Sequence, residues 1–326
     1  MKNYLILFPL VVLALFPPIE TSIPIFNSES WIWVVFIAGF LGFYLWFLKI
    51  NIFIKVFASY AFLASFFSST PYVSFTSYVP LILCIYYYVL CLKKLDFNYL
   101  RNVLIVILIL NLLMLFMQDI GKDYLCNFGI PAKANLNYGT FGNVMRLSSF
   151  VIMITAFLMA YLKEDEYKVE KYMICVGIIL YVIIQQIVRR DVFYLFPLVR
   201  GDVWRETIRL TYERPFWGWG IGSFKIVFHQ IAQIGSFAQG EGVWLQAHNC
   251  WFQGLFETGF LGFIIIVGYI VNLFKRLKDR KLYFCIFGLG FASLNMMYHS
   301  PTREIQIAFV FMAFLAYLER KIQCQL

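Results

Sequence analysis

One histidine and a run of arginines are the residues in this chain best suited to chemistry. His248 and Asn249 stand in AHNCWFQGLFETGFLGF, where a polar stretch gives way to an apolar one. A neutral imidazole at such a water–lipid boundary has a pKa suited to general-base work. Upstream, RGDVWRETIRLTYERPFWGWGIGSF begins at Arg200 and carries Arg205, Arg209 and Arg214. Guanidinium groups stay charged and grip phosphate oxygens two at a time, so this segment suits an anionic, phosphate-bearing ligand. The competing use of the same arginines is ion pairing with Asp191, Asp202, Glu206, Glu213 and Glu241, together with lipid headgroup contacts. The remaining histidines, His229 and His299, also fall at or near outward ends, but only His248 stands where the polar stretch re-enters the membrane. No Cys, His or carboxylate stands at ligand spacing from His248, so no metal role is expected. Glu20, Glu29, Asp119 and Asp123 are scattered and form no DxD platform for a metal-dependent transfer. The seven cysteines show no CxxC, and most lie in apolar runs where Cys acts as a small hydrophobe. Only Cys126 and Cys250 can both face outward, which leaves a disulfide between them as a minor alternative.

The local pattern says how these groups would be held. Asp202 is placed to cap a short helix over Val203–Tyr212 that Pro215 stops. Arg205 and Arg209 share one face of it, and Trp204, Ile208 and Thr211 form another stripe, as in an amphipathic interfacial helix. Gly218, Gly220 and Gly222 then permit a tight turn with exposed backbone. The third glycine is misplaced for a dinucleotide fingerprint, and no strand precedes it. Gly259 and Gly262, on the helix after His248, report close helix packing. Glu257 on that helix is an intramembrane carboxylate, a functional candidate by default, but nine residues turn it roughly opposite His248. Trp217, Trp219, Trp244 and Trp251 fit a sugar-stacking platform or an interfacial aromatic belt, and the belt is the better fit.

The elements that carry these groups follow from composition. The 326 residues are 61% hydrophobic, 20% aromatic and only 14% charged, with mean hydropathy +0.75. A soluble domain is about 25% charged, so this chain lacks the polar surface of a water-facing globule. The composition excludes disorder, coiled coil, a disulfide scaffold and an ordinary cytosolic enzyme, and predicts an all-α, polytopic transmembrane helical bundle. No alternating barrel pattern appears, and open strand edges cannot sit in lipid. About ten spans are expected, near 4–19, 31–50, 52–68, 78–95, 100–118, 147–162, 172–188, 250–273, 281–298 and 306–320.

The net charge of +9 is no sign of nucleic acid, because Lys and Arg sit in short breaks between apolar runs. One set of breaks holds sixteen basic residues, among them Lys93, Lys94, Arg276 and Arg320, and the opposite set holds four. The positive-inside rule then puts both termini in the cytoplasm. Seven more basic residues lie in one long outward loop, which the rule tolerates but does not explain. The chain thus divides into N-terminal spans over 1–188, an outward loop over 189–249 containing short amphipathic helices, and C-terminal spans over 250–326.

His248-Asn249, nine residues, Gly259, two residues and Gly262 resemble the H-N-x9-G-x-x-G signature of the O-antigen ligase and polymerase superfamily. Arg200-x-x-x-Trp204, then Pro215 and the Gly218–Gly222 turn, is similar to that family's R-x-x-x-W and P-x-x-G-x-G outer loop. Gly139-Thr-Phe-Gly-Asn143 resembles its G-x-x-x-N segment. Together these cover about 139–262, and the first five spans match only in hydropathy. The resemblance implies a multi-pass glycosyltransferase of the bacterial inner membrane that needs no cofactor. Its donor would be an undecaprenyl-diphosphate-linked glycan, and its acceptor the lipid A core or another glycan. By the same resemblance Arg200 and His248 are essential. Arg190, in Val-Arg-Arg-Asp where the family has Ser-Arg-Gly, is the nearest counterpart of a further arginine. Arg205, Arg209 and Asn249 are candidates for holding diphosphate or acceptor, and Pro215, Gly218, Gly220, Gly259 and Gly262 shape the site. One departure is plain: only about ten residues separate Arg190 from Arg200, where the family inserts further spans. A protein O-oligosaccharyltransferase, or a non-enzymatic polysaccharide transporter or lipid flippase, would share the span count. A transporter would be expected to show inverted repeats, broken helices and mid-membrane polar residues, whereas no repeat is seen and the polar residues cluster at one outer loop.

Overall fold

A computed structural model of the chain describes residues 31–119, 144–161, 199–232, 246–298 and 305–324. The expected spans at 4–19 and 172–188, the Gly139–Asn143 segment, Arg190 and Cys126 lie outside these residues. All regular structure within them is helical. Such apolar segments have no other way to satisfy their backbone away from water. In chain order the helices are α1 (Trp31–Tyr44), α2 (Ile52–Phe66), α3 (Pro71–Lys94), α4 (Phe97–Asp119), α5 (Val144–Tyr161), α6 (Val199–Glu213), α7 (Phe224–Ile231), α8 (Cys250–Asp279), α9 (Tyr283–Tyr298) and α10 (Ile305–Cys324). Among the described residues, α3, the Phe97–Met114 part of α4, and α8 are long and apolar enough to cross a membrane. α1, α2, α5 and α9 are apolar but shorter.

Some boundaries differ from the expected ones for local reasons. α1 ends at Tyr44 and passes through a 3-10 turn, Leu45–Phe47, well before residue 50. Asn51 then caps α2 by accepting the Phe53 N–H. α3 starts seven residues earlier than expected, at Pro71, because proline at the first helical position costs no hydrogen bond. α6 starts at Val199, so Asp202 lies in its first turn and is not the cap expected of it. An acidic residue there still favours the helix through the dipole.

Close approach and buried polar pairs pin the bundle. A Cβ on Gly288 of α9 would sit 2.5 Å from the Ala156 carbonyl of α5, so only glycine lets these helices meet. Asn295 fastens the same pair by donating to the Ser149 carbonyl and hydroxyl. At one end of the bundle Arg320 donates to the Cys91, Leu92 and Leu95 carbonyls, which closes the C-terminus of α3. Beside it Glu319, 2% exposed, accepts from Arg276 and Asn51. The C-termini of α3, α8 and α10, with their lysines and arginines, therefore share one end. α6 and α7 cover the other end. Their own small core joins Val203, Leu210, Phe224 and Phe228 to Ala247 and Phe256.

Candidate functional site

The site is assembled at this covered end, where α6, the Gly218–Gly222 turn and the start of α8 meet. α6 buries Val203, Thr207, Leu210 and Thr211 and exposes Arg205, Arg209, Tyr212 and Glu213. Of the expected stripe Trp204, Ile208 and Thr211, only Thr211 is fully buried, because α6 rests on α7 and α8. Arg200 sits on its inner side, only 8% exposed. One helical turn on, Trp204 donates its indole N–H to the Ala247 carbonyl at 2.8 Å and sets its ring edge-on to Phe252. The R-x-x-x-W spacing therefore has a physical meaning: i and i+4 share a face, so Trp204 ties Arg200 to the residue before His248.

His248 itself is held with a positive φ of 52°. Left-handed backbone is uncommon for a residue with a Cβ, and it concentrates where structure is over-determined around a site. Asn249 then caps α8, its side-chain oxygen accepting the Trp251 and Phe252 N–H groups. Burial pushes the His248 imidazole down from its usual 6.5 to about 4, and the Arg200 charge adds to the effect. Burial also lowers Arg200, which nonetheless stays charged. Sequence alone suggests a base poised near neutrality. The structure instead gives an imidazole neutral at pH 7, because burial and a nearby cation both oppose its proton.

The glycine turn is buried, not exposed. Gly218, Gly220 and Gly222 all have positive φ, at 68°, 105° and 75°. The N–H groups of Trp219 and Gly220 donate to the Phe256 and Glu257 carbonyls, and Gly222 donates to the Glu257 carboxylate at 2.8 Å. Gly259 answers from the other side. With φ 63° and ψ −175° it breaks α8 into two segments, and the Phe260 N–H reaches the Pro215 carbonyl at 2.7 Å. Tyr60 of α2 closes the knot by donating between the Phe216 and Thr258 carbonyls. Gly262 faces Tyr60, whose ring would lie 2.7 Å from an added Cβ. The two glycine motifs, forty residues apart, are therefore one structural unit, and Gly259 is a backbone break as well as a packing point.

Other candidates fall outside the Arg200–His248 group. Arg205, with its side chain 82% exposed, pairs with Asp202 at 3.3 Å. Arg209 pairs with Glu206 at 2.7 Å and Glu213 at 2.8 Å, and bonding to Glu206 raises its pKa. At about 100° per residue these two arginines point roughly 140° and 180° away from Arg200. The faces of two of the tryptophans are used internally: Trp217 is stacked between Tyr60 and Phe67, and Trp219 lies against Phe256 with Arg214 over its ring, whereas Trp244 lies outside the described residues. Tyr60, Ser68 and Gln253 belong to the site's frame but are not apparent from the sequence. Only Gln253 leaves a signal there, its four-residue spacing from Glu257 on a helix.

Beside Gln253 and Glu257 a cavity of about 420 Å³ runs between α2, α3, α8 and α10, from Ser77 and Ile221 toward Tyr88, Tyr269 and Leu315. Its walls are mostly apolar. Among the described residues no three His, Cys, Asp or Glu side chains gather so as to hold a metal ion. Compared with known proteins, the chain matches no family model and no curated protein.

Proposed function

We propose that the chain transfers a glycan from a polyprenyl-diphosphate carrier to an acceptor hydroxyl at the outer face of a bacterial inner membrane, as an O-antigen ligase or polymerase does. The observation that carries this reading is the placing of a buried arginine, Arg200, and His248 together at the bundle end opposite its basic rim, joined through the Trp204–Ala247 hydrogen bond. In the proposed topology about ten spans cross the membrane with both termini inside, so that the lysine-rich end lies in the cytoplasm and α6 at the outer surface.

In such a transfer the bond from the anomeric carbon to the carrier diphosphate breaks, and one to the acceptor oxygen forms on the opposite face of the sugar. The diphosphate leaves with the electron pair, and Arg200, joined by Arg190, holds the growing charge on its oxygens. The acceptor proton passes to His248, which must be neutral to take it. A diphosphate beside Arg200 offsets the charge that depresses the imidazole, so donor binding strengthens the base it needs. The apolar cavity beside Gln253 suits the hydrocarbon chain of a carrier. Asn249 sets the start of α8 beside the acceptor, and Arg205 and Arg209 suit lipid headgroups at the interface.

Within this reading the acceptor class is that of a ligase or a polymerase. The deciding experiment is transfer in membranes carrying Arg200→Ala or His248→Ala. Both are expected to accumulate and to leave glycan on the carrier, and normal transfer by either sinks the reading. A chelator is expected to leave transfer intact. In a deletion strain, carrier-linked polymer with a bare acceptor marks a ligase, and single repeats on the acceptor mark a polymerase.

A further inference from the structure

Glu257 is 1% exposed within an apolar helix, and a carboxylate there needs a reason. One oxygen accepts the Gly222 N–H at 2.8 Å, and the other accepts the Gln253 side-chain amide at 3.0 Å. The Gln253 carbonyl oxygen in turn accepts the Ala247 N–H at 3.2 Å. Ala247 is the residue before His248, and its carbonyl is the one that Trp204 grips. A chain of hydrogen bonds thus runs from the glycine turn through two side chains to the strained backbone that aims the imidazole.

The direction of this chain depends on the carboxylate. Both oxygens of Glu257 accept here, so Gln253 presents its NH₂ to Glu257 and its oxygen to Ala247. An amide at position 257 has one acceptor and one donor end. If its oxygen takes Gly222, its NH₂ confronts the Gln253 NH₂. Gln253 must then turn over and present a donor to the Ala247 N–H. If its oxygen takes Gln253, its NH₂ confronts Gly222. Either way one buried donor loses its acceptor, at the turn or beside His248.

We infer that Glu257 is a positioning residue, whose carboxylate fixes the orientation of Gln253 and so holds the Ala247–His248 backbone in register with the Gly218–Gly222 turn. It does not touch the reacting atoms. This rests on the proposed role of His248 for its effect on transfer, but the geometry can be read without transfer.

The test uses full-length protein in native membranes, with two readouts. One is glycan transfer resolved into kcat and KM. The other is the rate at which diethylpyrocarbonate modifies His248, followed by peptide mass spectrometry across pH. Glu257→Gln is expected to lower kcat about tenfold or more, as for a buried donor left unpaired, with the donor KM within about twofold. The His248 modification profile shifts with it. The exchange Glu257→Gln with Gln253→Glu satisfies the Ala247, Gly222 and side-chain amide donors again, since the carboxylate moved to position 253 can accept from both Ala247 and the amide at 257. It is expected to restore kcat to within about threefold. Gln253→Met removes both hydrogen bonds of Gln253 but leaves the bond from Gly222 to Glu257 in place, and it is expected to lower kcat in a protein that still folds, which covers the case in which Glu257→Gln does not accumulate. Wild-type kcat and wild-type His248 reactivity in Glu257→Gln overturn the inference, and so does a double variant no better than the single one. If the unmodified chain transfers no glycan, the proposed function fails, while His248 reactivity across the same variants still decides the inference.

Discussion

Gly218 and Gly259 meet backbone against backbone: a Cβ on Gly218 would lie 2.5 Å from the Gly259 nitrogen, and a Cβ on Gly259 would lie 2.7 Å from the Gly218 nitrogen and 2.4 Å from the Phe216 oxygen. Both have positive φ. Alanine at either position therefore meets a fixed backbone, and the left-handed conformation alone costs roughly 1–3 kcal/mol. Gly218→Ala and Gly259→Ala are expected to reduce folded protein sharply after detergent extraction. Gly254→Ala, with nothing within 4 Å of the added methyl, should match wild type. Size-exclusion profiles and melting temperatures of the three variants check this. Equal behaviour of all three would mean that the turn and the break in α8 are not locked together.

The link from Trp204 to Ala247 makes a separate prediction. Trp204→Phe keeps an aromatic ring against Phe252 but removes the 2.8 Å hydrogen bond. A neutral bond of this kind contributes about 1 kcal/mol, so the melting temperature should fall by only a few degrees. If the bond sets the relation of Arg200 to His248, kcat should fall by about fivefold or more while protein levels hold. Steady-state transfer rates in matched membranes are the measurement.

The sequence made the helical, membrane-embedded character legible, because apolar runs with few charges leave the backbone no partner but itself. It also placed Arg200 and His248 together, though only by analogy of motif. What it could not supply was the third dimension of the glycines. Gly220 and Gly222 face Ser68, Ser74 and Ser77, on α3 and the link before it, roughly 150 residues away in sequence. No periodicity encodes such an encounter. Glu257 shows the same limit: a bearing counted along one helix from His248 does not apply, because α8 begins only at Cys250, and the connection runs through Gln253, whose partner Ala247 lies off the helix.

Arg205 and Arg209 are expected to matter little for transfer. Both are exposed and paired on their own helix, and such surface pairs typically contribute about 0.2–1 kcal/mol. Arg205→Ala and Arg209→Ala should each retain activity within about threefold, and the loss from Arg209→Ala should be in stability, since Glu206 is left buried without its arginine. Arg200→Ala should abolish transfer. A loss in Arg205→Ala as deep as that in Arg200→Ala would place the diphosphate on the outer face of α6 instead.

The pH response separates structure from chemistry at His248. Its imidazole titrates near 4 in the fold and near 6.5 when unfolded. Between these values the unfolded chain binds the proton and the folded chain does not. Stability is therefore fully present above pH 6.5 and declines as pH falls toward 4, by at most about 3 kcal/mol from this one group. Melting temperature should drop on acidification through that window, and His248→Gln should flatten the drop. In transfer assays the acid limb of kcat/KM reports free enzyme and belongs near the low value. The acid limb of kcat reports the complex, in which the donor diphosphate offsets Arg200, and belongs at higher pH. Coincident limbs for kcat and kcat/KM would show that the anion does not sit where it can relieve the imidazole.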